Sequence, residues 1–240
     1  MGVPTTLTAN PGNRKLFIGW AIDRIVQSYT NPVQLTLASG HTVTALFGPT
    51  EGFPDLTASP MKDAIDQLAA RGIVKGYADG SFGPNDTTLR AQMAALIARA
   101  MGWDAEDHGN LFLDRGAVDA DLWRNVGTLA FHGVAKGYSD GTYDPTAPVL
   151  RAQVVSFITR AMVAKGYWAQ QPENPALYTD VPASSGHRGD LAIYFHYVGG
   201  LPDIGAGASF ADWDQPSTRG WFARTLWAAL QTQFARTSLP

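Results

Sequence analysis

The side chains best suited to holding a ligand occur twice, 61 positions apart. In both places a lysine, a glycine and a tyrosine form a tripeptide, and an arginine follows further along the chain. A forked guanidinium binds a carboxylate through two parallel hydrogen bonds, lysine adds a second positive charge, and tyrosine offers an apolar ring with a hydroxyl. These residues suit the recognition of a carboxylate beside an apolar face. The two sets are Lys75, Gly76, Tyr77 and Arg90, then Lys136, Gly137, Tyr138 and Arg151.

The two sets belong to an internal repeat. Residues 71–92 and 132–153 share 11 identities in 22 positions without a gap, and a Phe-x-Asp motif precedes each stretch. A third, degraded copy begins at Tyr178 and leads through Thr218-Arg219 into a final helix, but residues 202–209 lack the Lys-Gly-Tyr turn. Arg219 is therefore a further candidate for ligand binding, in a site that lacks part of the pattern.

Each copy predicts a helix, a glycine-rich turn and a second helix. Apolar residues in 61–71 and 88–101 follow helical spacing, and an Asp-Gly turn dipeptide lies between the two stretches. One such unit, of about 55–65 residues, cannot bury its apolar face alone, so several must pack together. Each candidate arginine opens a second helix, where we expect free backbone N–H groups and a positive dipole end to favour an anion.

Each of these assignments has a structural alternative. The arginines at the helix starts could form salt bridges instead of binding a ligand. Tyr77 and Tyr138 could serve mainly in packing. Asp79 and Asp140 are interpreted as turn formers.

The arrangement resembles the S-layer homology (SLH) family. The family pattern runs Phe-x-Asp-Val, a helix, Gly-Ile-x-x-Gly-Tyr-x-Asp-Gly-x-Phe-x-Pro and Thr-Arg-Ala-Glu. This chain matches it with Phe53-Pro-Asp55, with residues 72–84 and with Leu89-Arg90-Ala91-Gln92. The resemblance, over residues 53 to about 234, implies a mainly α fold, a pseudo-threefold bundle of three helix–loop–helix repeats. It also implies noncovalent binding to a bacterial envelope polysaccharide, typically a secondary cell-wall polymer with pyruvate ketals. Such a ketal places a carboxylate on a sugar ring, which matches the cation and tyrosine chemistry above.

Two positions depart from the family pattern. Gln92 replaces the glutamate but can still serve as the distal member of a capping box, whereas Leu89 replaces the threonine and cannot cap through a hydroxyl. The same holds 61 positions later. We therefore expect a cap from Thr87 or Thr88 in the first repeat, while Thr218 keeps the cap in the third.

The first fifty residues lie outside the repeats. Residues 14–28 follow a pattern that predicts a helix, and residues 33–37 and 42–47 alternate as in a β-hairpin. A lone hairpin is marginal in water, so this segment must pack on something. We interpret it as an assembly or docking segment that supports a homo- or hetero-oligomer; the alternative is a local cap over the repeats. The predicted domains are 1–50, 51–110 for repeat 1, 111–175 for repeat 2 and 176–240 for the divergent repeat 3.

Composition and motifs argue against several functions. The chain has no cysteine, a net charge of −3 and no apolar run long enough to cross a membrane, so we expect no disulfide, nucleic-acid binding or membrane insertion. Motifs for catalysis, metal ions or cofactors are absent, and no such group is expected. A glycan-active enzyme would need paired acids from Asp79 and Asp140 or from Asp55 and Asp114, whose turn positions argue against that role.

Two biological settings fit these features. In the first, the chain is an envelope protein or a piece of one, held at the cell surface or in an S-layer by its repeats. In the second, suggested by a start at Met1 without a secretory signal pattern, it is a structural protein of a phage or other extracellular particle. Residues 1–50 would then dock on the particle, and the repeats would hold the host surface. Both settings make the repeats a glycan-binding module.

Overall fold

The computed structural model describes residues 3–37, 39–170, 178, 180–201, 203 and 209–233. Within these residues five strands come first and six helices follow. The strands are β1 (Thr5–Leu7), β2 (Lys15–Ile22), β3 (Ile25–Ser28), β4 (Val33–Leu35) and β5 (Val43–Pro49). The helices are α1 (Lys62–Ala70), α2 (Arg90–Met101), α3 (Ala120–Phe131), α4 (Arg151–Ala164), α5 (Arg188–Val198) and α6 (Arg219–Gln231).

The helix predicted over residues 14–28 is wrong. This segment forms an antiparallel hairpin of β2 and β3, which turns at Asp23 and Arg24 with φ angles of 50° and 73°. Two successive residues of positive φ are typical of a tight two-residue hairpin turn and cannot be part of a helix. Trp20, Ala21 and Ile22 are buried in succession, so β2 does not show the alternation of a strand with one exposed face.

The hairpin predicted from residues 33–37 and 42–47 is also wrong, although strands form in both places. β4 pairs antiparallel with β1, and β5 pairs antiparallel with β2. The described strands therefore make a two-stranded sheet, β1-β4, and a three-stranded sheet in the order β3-β2-β5. Residues far apart in sequence provide the pairing partners that local alternation could not identify.

The repeat helices agree with the predicted pattern. Helix α1 occupies the first-helix stretch, with Ile65 and Leu68 fully buried, and α2 follows the glycine-rich turn with Met93 and Ile97 buried. A single large hydrophobic core contains buried residues of all six helices. No helix among the described residues is long and apolar enough to span a bilayer.

Three extended segments meet in a closed ring of backbone hydrogen bonds. The amide of Thr88 donates to the carbonyl of Ser217 at 3.0 Å, Ser217 donates to Val149 at 2.8 Å, and Val149 donates back to Thr88 at 2.9 Å. Each ring residue lies two positions before a helix, so α2, α4 and α6 all begin at the ring. Around it α2 packs on α3, α4 on α5 and α6 on α1, a cyclic order.

The strands join the helices through α1. The guanidinium of Arg71, just after α1, donates from Nη2 to the carbonyl of Ile18 in β2 at 2.7 Å. It lies between two aromatic rings, 4.5 Å from the centroid of Tyr29 and 4.4 Å from that of Trp227. Burial lowers the pKa of Arg71 to about 10, so this side chain remains charged at neutral pH. One arginine thus links the three-stranded sheet, helix α1 and helix α6.

Candidate ligand-binding clefts

Each candidate arginine reaches across to a neighbouring copy instead of its own. The Arg90 guanidinium lies 4.9 Å from the ring of Tyr138 and 4.6 Å from that of Tyr143, and its Nε donates to the Tyr143 carbonyl at 2.9 Å. An arginine from the first repeat therefore completes the Lys-Gly-Tyr turn of the second. We call this arrangement of Arg90 with Lys136, Gly137 and Tyr138 the Arg90 cleft.

Arg219 makes the equivalent contacts with the first repeat. Its guanidinium lies 4.7 Å from the ring of Tyr77 and 4.6 Å from that of Phe82, and its Nε donates to the Phe82 carbonyl at 2.9 Å. Its Nη2 donates to the carbonyl of Lys75 at 3.0 Å. We call Arg219 with Lys75, Gly76 and Tyr77 the Arg219 cleft. Arg219 therefore lies beside a complete Lys-Gly-Tyr turn, which belongs to the first repeat.

Arg151 has a different environment. It forms an ion pair with Asp212, with Nη1 and Oδ2 3.1 Å apart, and it lies 5.2 Å from the ring of Trp221. The salt-bridge alternative therefore applies to Arg151. Neither Arg90 nor Arg219 forms an ion pair with any described residue. Residues 202 and 204–208, where the third copy lacks the Lys-Gly-Tyr turn, lie outside the described part of the chain.

Arg90 is a buried cation without an acidic partner among the described residues. The whole residue is 3% exposed. In the described part of the chain, Nη1 donates only to the side-chain amide oxygen of Gln153, at 3.2 Å. Buried charges in proteins are normally paired, because an isolated charge loses its hydration. The aromatic faces offset part of that cost through cation–π attraction. This environment favours the arrival of an anion.

The helix starts do not offer the free N–H groups that we expected. The amide of Arg90 donates to the carbonyl of Ala147 at 3.0 Å, and the amide of Ala91 donates to Pro145 at 3.0 Å. The first two amides of α4 and α6 are likewise bonded to carbonyls of the next segment in the ring. These amides are therefore already occupied by backbone carbonyls.

The cap of α2 also differs from the expectation, whereas the cap of α6 agrees with it. Thr88 Oγ1 is buried without a hydrogen-bond partner, and no side chain caps α2, so the cap expected from Thr87 or Thr88 is wrong. Gln92 does act as the distal member of the capping box, because its Oε1 accepts a hydrogen bond from the amide of Leu89 at 3.2 Å. Thr218 caps α6 by accepting from the amide of Trp221 at 3.3 Å, as expected. Backbone carbonyls of the neighbouring copy replace the missing hydroxyl in α2.

Comparison with known families agrees with the repeat pattern. The S-layer homology domain profile matches residues 52–94 and 113–155, which include both Lys-Gly-Tyr turns and two of the candidate arginines. The chain carries two SLH repeats. We refer to them as the first and second SLH repeats, and to the described residues from 178 to 233 as the third segment.

Several relatives that match the SLH repeats are named as surface or wall proteins. The chain is 30% identical over 162 residues to a "Cell surface protein" of Thermoanaerobacter kivui, covering 61% of this chain and 21% of that protein. It is 28% identical over 156 residues to the "Middle cell wall protein" of Brevibacillus brevis, covering 56% and 14%. A "Cellulosome-anchoring protein" of Acetivibrio thermocellus is 28% identical over 142 residues, covering 56% and 30%. The chain thus spans less than a third of each of these relatives.

Glycine is required in both SLH turns by packing. A Cβ on Gly76 would lie 2.6 Å from the carbonyl oxygen of Ser81 and would also overlap the ring of Phe53. A Cβ on Gly137 would lie 2.5 Å from the ring of Phe112. The phenylalanine of each Phe-x-Asp motif therefore packs against the glycine of its own turn. Whether either glycine also admits a ligand remains a prediction.

The aspartate of each Phe-x-Asp motif shapes the loop behind the turn. Asp55 accepts from the amide of Gly83 at 2.8 Å, Asp114 from Asp144 at 2.7 Å, and Asp180 from Phe210 at 2.9 Å. Partial burial would raise the pKa of Asp55, but the amides of Phe82 and Gly83 outweigh it and lower that pKa. These carboxylates are occupied by backbone groups, which opposes a role as a catalytic pair. They also relate the third segment to the SLH repeats.

The Asp-Gly turns form as predicted. Asp79 Oδ1 accepts from both the amide and the hydroxyl of Ser81, at 2.9 and 2.7 Å. Asp140 accepts from Thr142 in the same way. Their interpretation as turn formers is confirmed.

The two tyrosines of the clefts have different partners. Tyr77 donates its hydroxyl to Asp86 at 2.9 Å. Burial is the main cause that raises the pKa of Tyr77, and this hydrogen bond raises it further. The position equivalent to Asp86 in the second SLH repeat is Ala147. Tyr138 instead accepts from Gln153 at 3.5 Å. The Arg219 cleft therefore contains an acid, and the equivalent position in the Arg90 cleft does not.

A cavity of about 590 Å³ adjoins the turn of the second SLH repeat. It is lined by Lys136 together with residues of α4 and α5, and it includes the ion pair of Arg160 and Asp190 at 2.7 Å. Sequence reasoning did not identify Arg160. The signal was present, because Arg160 matches Arg99 at the same offset of 61 positions.

Histidines and acids form no metal-binding group among the described residues, and the contact of His187 with Ser156 lies in the core. His187 Nδ1 lies 2.8 Å from Ser156 Oγ, but Ser156 is 1% exposed and sits inside the core. A nucleophile must reach a substrate, so this pair is structural. Within the described ranges no three histidine or acidic side chains are placed to share a metal ion.

Proposed function

We propose that the SLH repeats bind a carboxylate-bearing saccharide of a bacterial cell envelope and thereby anchor the protein at a cell surface, without catalysis. The observation that carries this proposal is the Arg90 guanidinium, which is buried beside two tyrosine rings and has no acidic partner in the described part of the chain. Tyrosine faces suit sugar rings, and a guanidinium suits a carboxylate. The names of the relatives, which include surface, wall and cellulosome-anchoring proteins, support the same role.

Within this proposal the ligand group is a pyruvate ketal or a similar carboxylate on a sugar. The Arg90 cleft is its main site, because Ala147 leaves that cleft without the acid that Asp86 brings to the Arg219 cleft. Arg151 is already paired with Asp212 and so is the weakest candidate. Lys136 extends the Arg90 cleft toward the 590 Å³ cavity, which has room for further sugar residues.

The third segment acts in this proposal as a divergent third repeat of a pseudo-threefold bundle, with domain limits near 51–110, 111–175 and 176–240. The closed hydrogen-bond ring supports this assignment, because Ser217 takes the place that Thr88 and Val149 take in the first two repeats. Asp180 supports it as well, by repeating the loop contact of Asp55. In this arrangement the third segment supplies Arg219 to the first SLH repeat.

Binding of the full chain to purified cell-wall polysaccharide tests the proposal. Affinity is measured before and after mild acid removes the pyruvate ketals, and we expect it to fall by at least about tenfold. Arg90→Gln should cause a similar loss, whereas Arg124→Gln on the exposed face of α3 should leave binding unchanged. Helicity measured by circular dichroism separates loss of binding from loss of fold. Equal binding to intact and ketal-free polymer would refute the carboxylate ligand.

A second candidate function assigns residues 1–50 to assembly, in the envelope or in a phage or other extracellular particle. The observation that favours it is apolar exposure on the outer strands of the three-stranded sheet, where Ile25 in β3 is 65% exposed and Phe47 in β5 is 38% exposed. Outer strands offer backbone groups to a partner strand. Light scattering on wild type, Ile25→Glu and Phe47→Glu tests it: an oligomer in wild type that both variants disrupt would support assembly. Monomers throughout, with no co-purifying particle protein, would contradict it.

A further inference from the structure

A large groove lies at the junction of the strands and the helices. It has a volume of about 790 Å³ and opens between β2, β3 and β5 on one side and the ends of α1, α2 and α4 on the other. We call it the junction groove. Its lining contains the cations Arg71, Arg99 and Lys165 and, among the described residues, no acid. Pockets at such boundaries between structural units are common ligand sites.

Two of these cations are available to a ligand. Arg71 is occupied by its contacts with β2 and with two aromatic rings. Arg99 and Lys165, in contrast, form no ion pair and no side-chain hydrogen bond with any described residue. Arg99 is exposed, and Lys165 is half-buried at the rim.

The helix ends do not cancel this charge. Arg71, Arg99 and Lys165 lie at the C-terminal ends of α1, α2 and α4, where cations normally offset the helix dipole. Each helix end contributes roughly half a negative charge, so three ends bring roughly −1.5 against three full positive charges. The groove therefore keeps a net positive charge, although the whole chain carries −3.

The groove also has an aliphatic wall, to which Ile18, Ile25, Val26 and Leu46 of the sheet and Ile73 after α1 contribute. A group that only carried charge would leave this wall in contact with water, and an apolar molecule would leave the two free cations unused. A ligand that satisfies both surfaces has an anionic head and an apolar body.

We propose that the junction groove is a second binding site, for an amphipathic anion whose carboxylate, sulfonate or phosphate head lies between Arg99 and Lys165 and whose apolar body lies on the Ile25–Val26 side of the sheet. The site is separate from the clefts. Arg90 begins α2 and Met101 ends it, so the groove lies one helix length, about 18 Å, from the Arg90 cleft. Binding there does not depend on the saccharide function proposed above.

A fluorescence titration with 8-anilinonaphthalene-1-sulfonate tests this site in the full chain. The uncharged analogue N-phenyl-1-naphthylamine serves as the second probe. In the double variant Arg99→Gln/Lys165→Gln, we expect the Kd of the sulfonate to rise at least about fivefold, because both head-group contacts are lost, while the Kd of the uncharged analogue stays the same. Ile25→Ser should weaken both probes, because it removes part of the apolar wall.

A control separates local contacts from total charge. The double variant Arg115→Gln/Arg124→Gln removes the same charge from half-buried Arg115 and exposed Arg124, neither of which lines the groove, and we expect it to leave both Kd values unchanged. A sulfonate affinity that is equal in the two double variants would overturn the proposal, whether both are unchanged or both are reduced. Pyruvylated polysaccharide should not displace the sulfonate. Displacement would also overturn the proposal, because it would place the probe in the clefts.

Discussion

Tyr77 donates its hydroxyl to Asp86 at 2.9 Å, inside the cleft that Arg219 completes. The second SLH repeat has Ala147 at the equivalent position, so one substitution makes two otherwise similar clefts electrostatically different. A carboxylate beside a bound anion raises the free energy of binding through like-charge repulsion. Asp86 is therefore the residue most directly placed to weaken an anion site.

Asp86→Ala should improve carboxylate binding in the Arg219 cleft. We expect isothermal titration with a pyruvylated disaccharide to show one site per chain in wild type and a second in the variant. The affinity of the new site should gain about tenfold over the same cleft in wild type. Ala147→Asp is the reciprocal variant and should weaken the Arg90 cleft, while Asp121→Ala on the surface of α3 serves as a control. An unchanged stoichiometry in Asp86→Ala would contradict this explanation of the two clefts.

Gly76→Ala should destabilise the first SLH repeat. The new methyl would overlap the buried ring of Phe53 and lie 2.6 Å from the Ser81 carbonyl. Overpacking of this kind costs about 1–3 kcal/mol in the free energy of unfolding, which urea denaturation measures. Gly189→Ala in α5 is the control, because its Cβ would meet no atom within 4 Å, so it should be neutral or slightly stabilising. Equal stability of the two variants would disprove the packing role.

Arg71→Met should loosen the junction between strands and helices. It removes the hydrogen bond to Ile18 and the charge held between Tyr29 and Trp227. Loss of hydrogen bonds from a partly buried charged group costs about 2–3 kcal/mol. We expect hydrogen exchange to accelerate in β2 before it does in α4, with Arg124→Met as a matched control. Uniform exchange in both elements would show that the junction is held by other contacts.

Stability should fall as the pH drops below about 6.5. Burial lowers the pKa of His187, aided by Arg160 and opposed by Asp190, and burial also lowers the pKa of His132. The unfolded chain, with histidine pKa values of about 6.5, then binds protons that the folded chain does not, so protonation favours unfolding. Urea midpoints measured from pH 8 to pH 5 should show this loss.

The His132→Gln/His187→Gln variant should flatten that profile between pH 6.5 and 5. If the double variant keeps the full slope, other groups are responsible.

The repeat region could be predicted from sequence because its signals are local. The identities between residues 71–92 and 132–153 located both turns, and the helical spacing around Ile65 and Met93 located helices that the structure contains. The pairing of each arginine with the next repeat could not be predicted in this way. It depends on the closure of the ring, which brings together residues as distant as Thr88 and Ser217.

The elements predicted for the first fifty residues were wrong for a different reason. Phe17, Trp20 and Ala21 suit the apolar face of a helix, and they suit equally a strand that is buried on both faces. Asp23 and Arg24 decide between the two, because their positive φ angles form the hairpin turn. Neither aspartate nor arginine signals a positive φ angle in the sequence. Pairing of β2 with β5, more than twenty positions away, then stabilises the strand.

The hydrogen-bond ring also sets an order of events during synthesis. Thr88 and Ser217 are 129 positions apart, so the ring cannot close until Ser217 has left the ribosome. Until then the Arg90 cleft can form from the first two SLH repeats, but the Arg219 cleft lacks its arginine. Contacts of such long sequence separation slow folding. Nascent chains arrested before residue 217 should therefore hold at most the first of these two clefts.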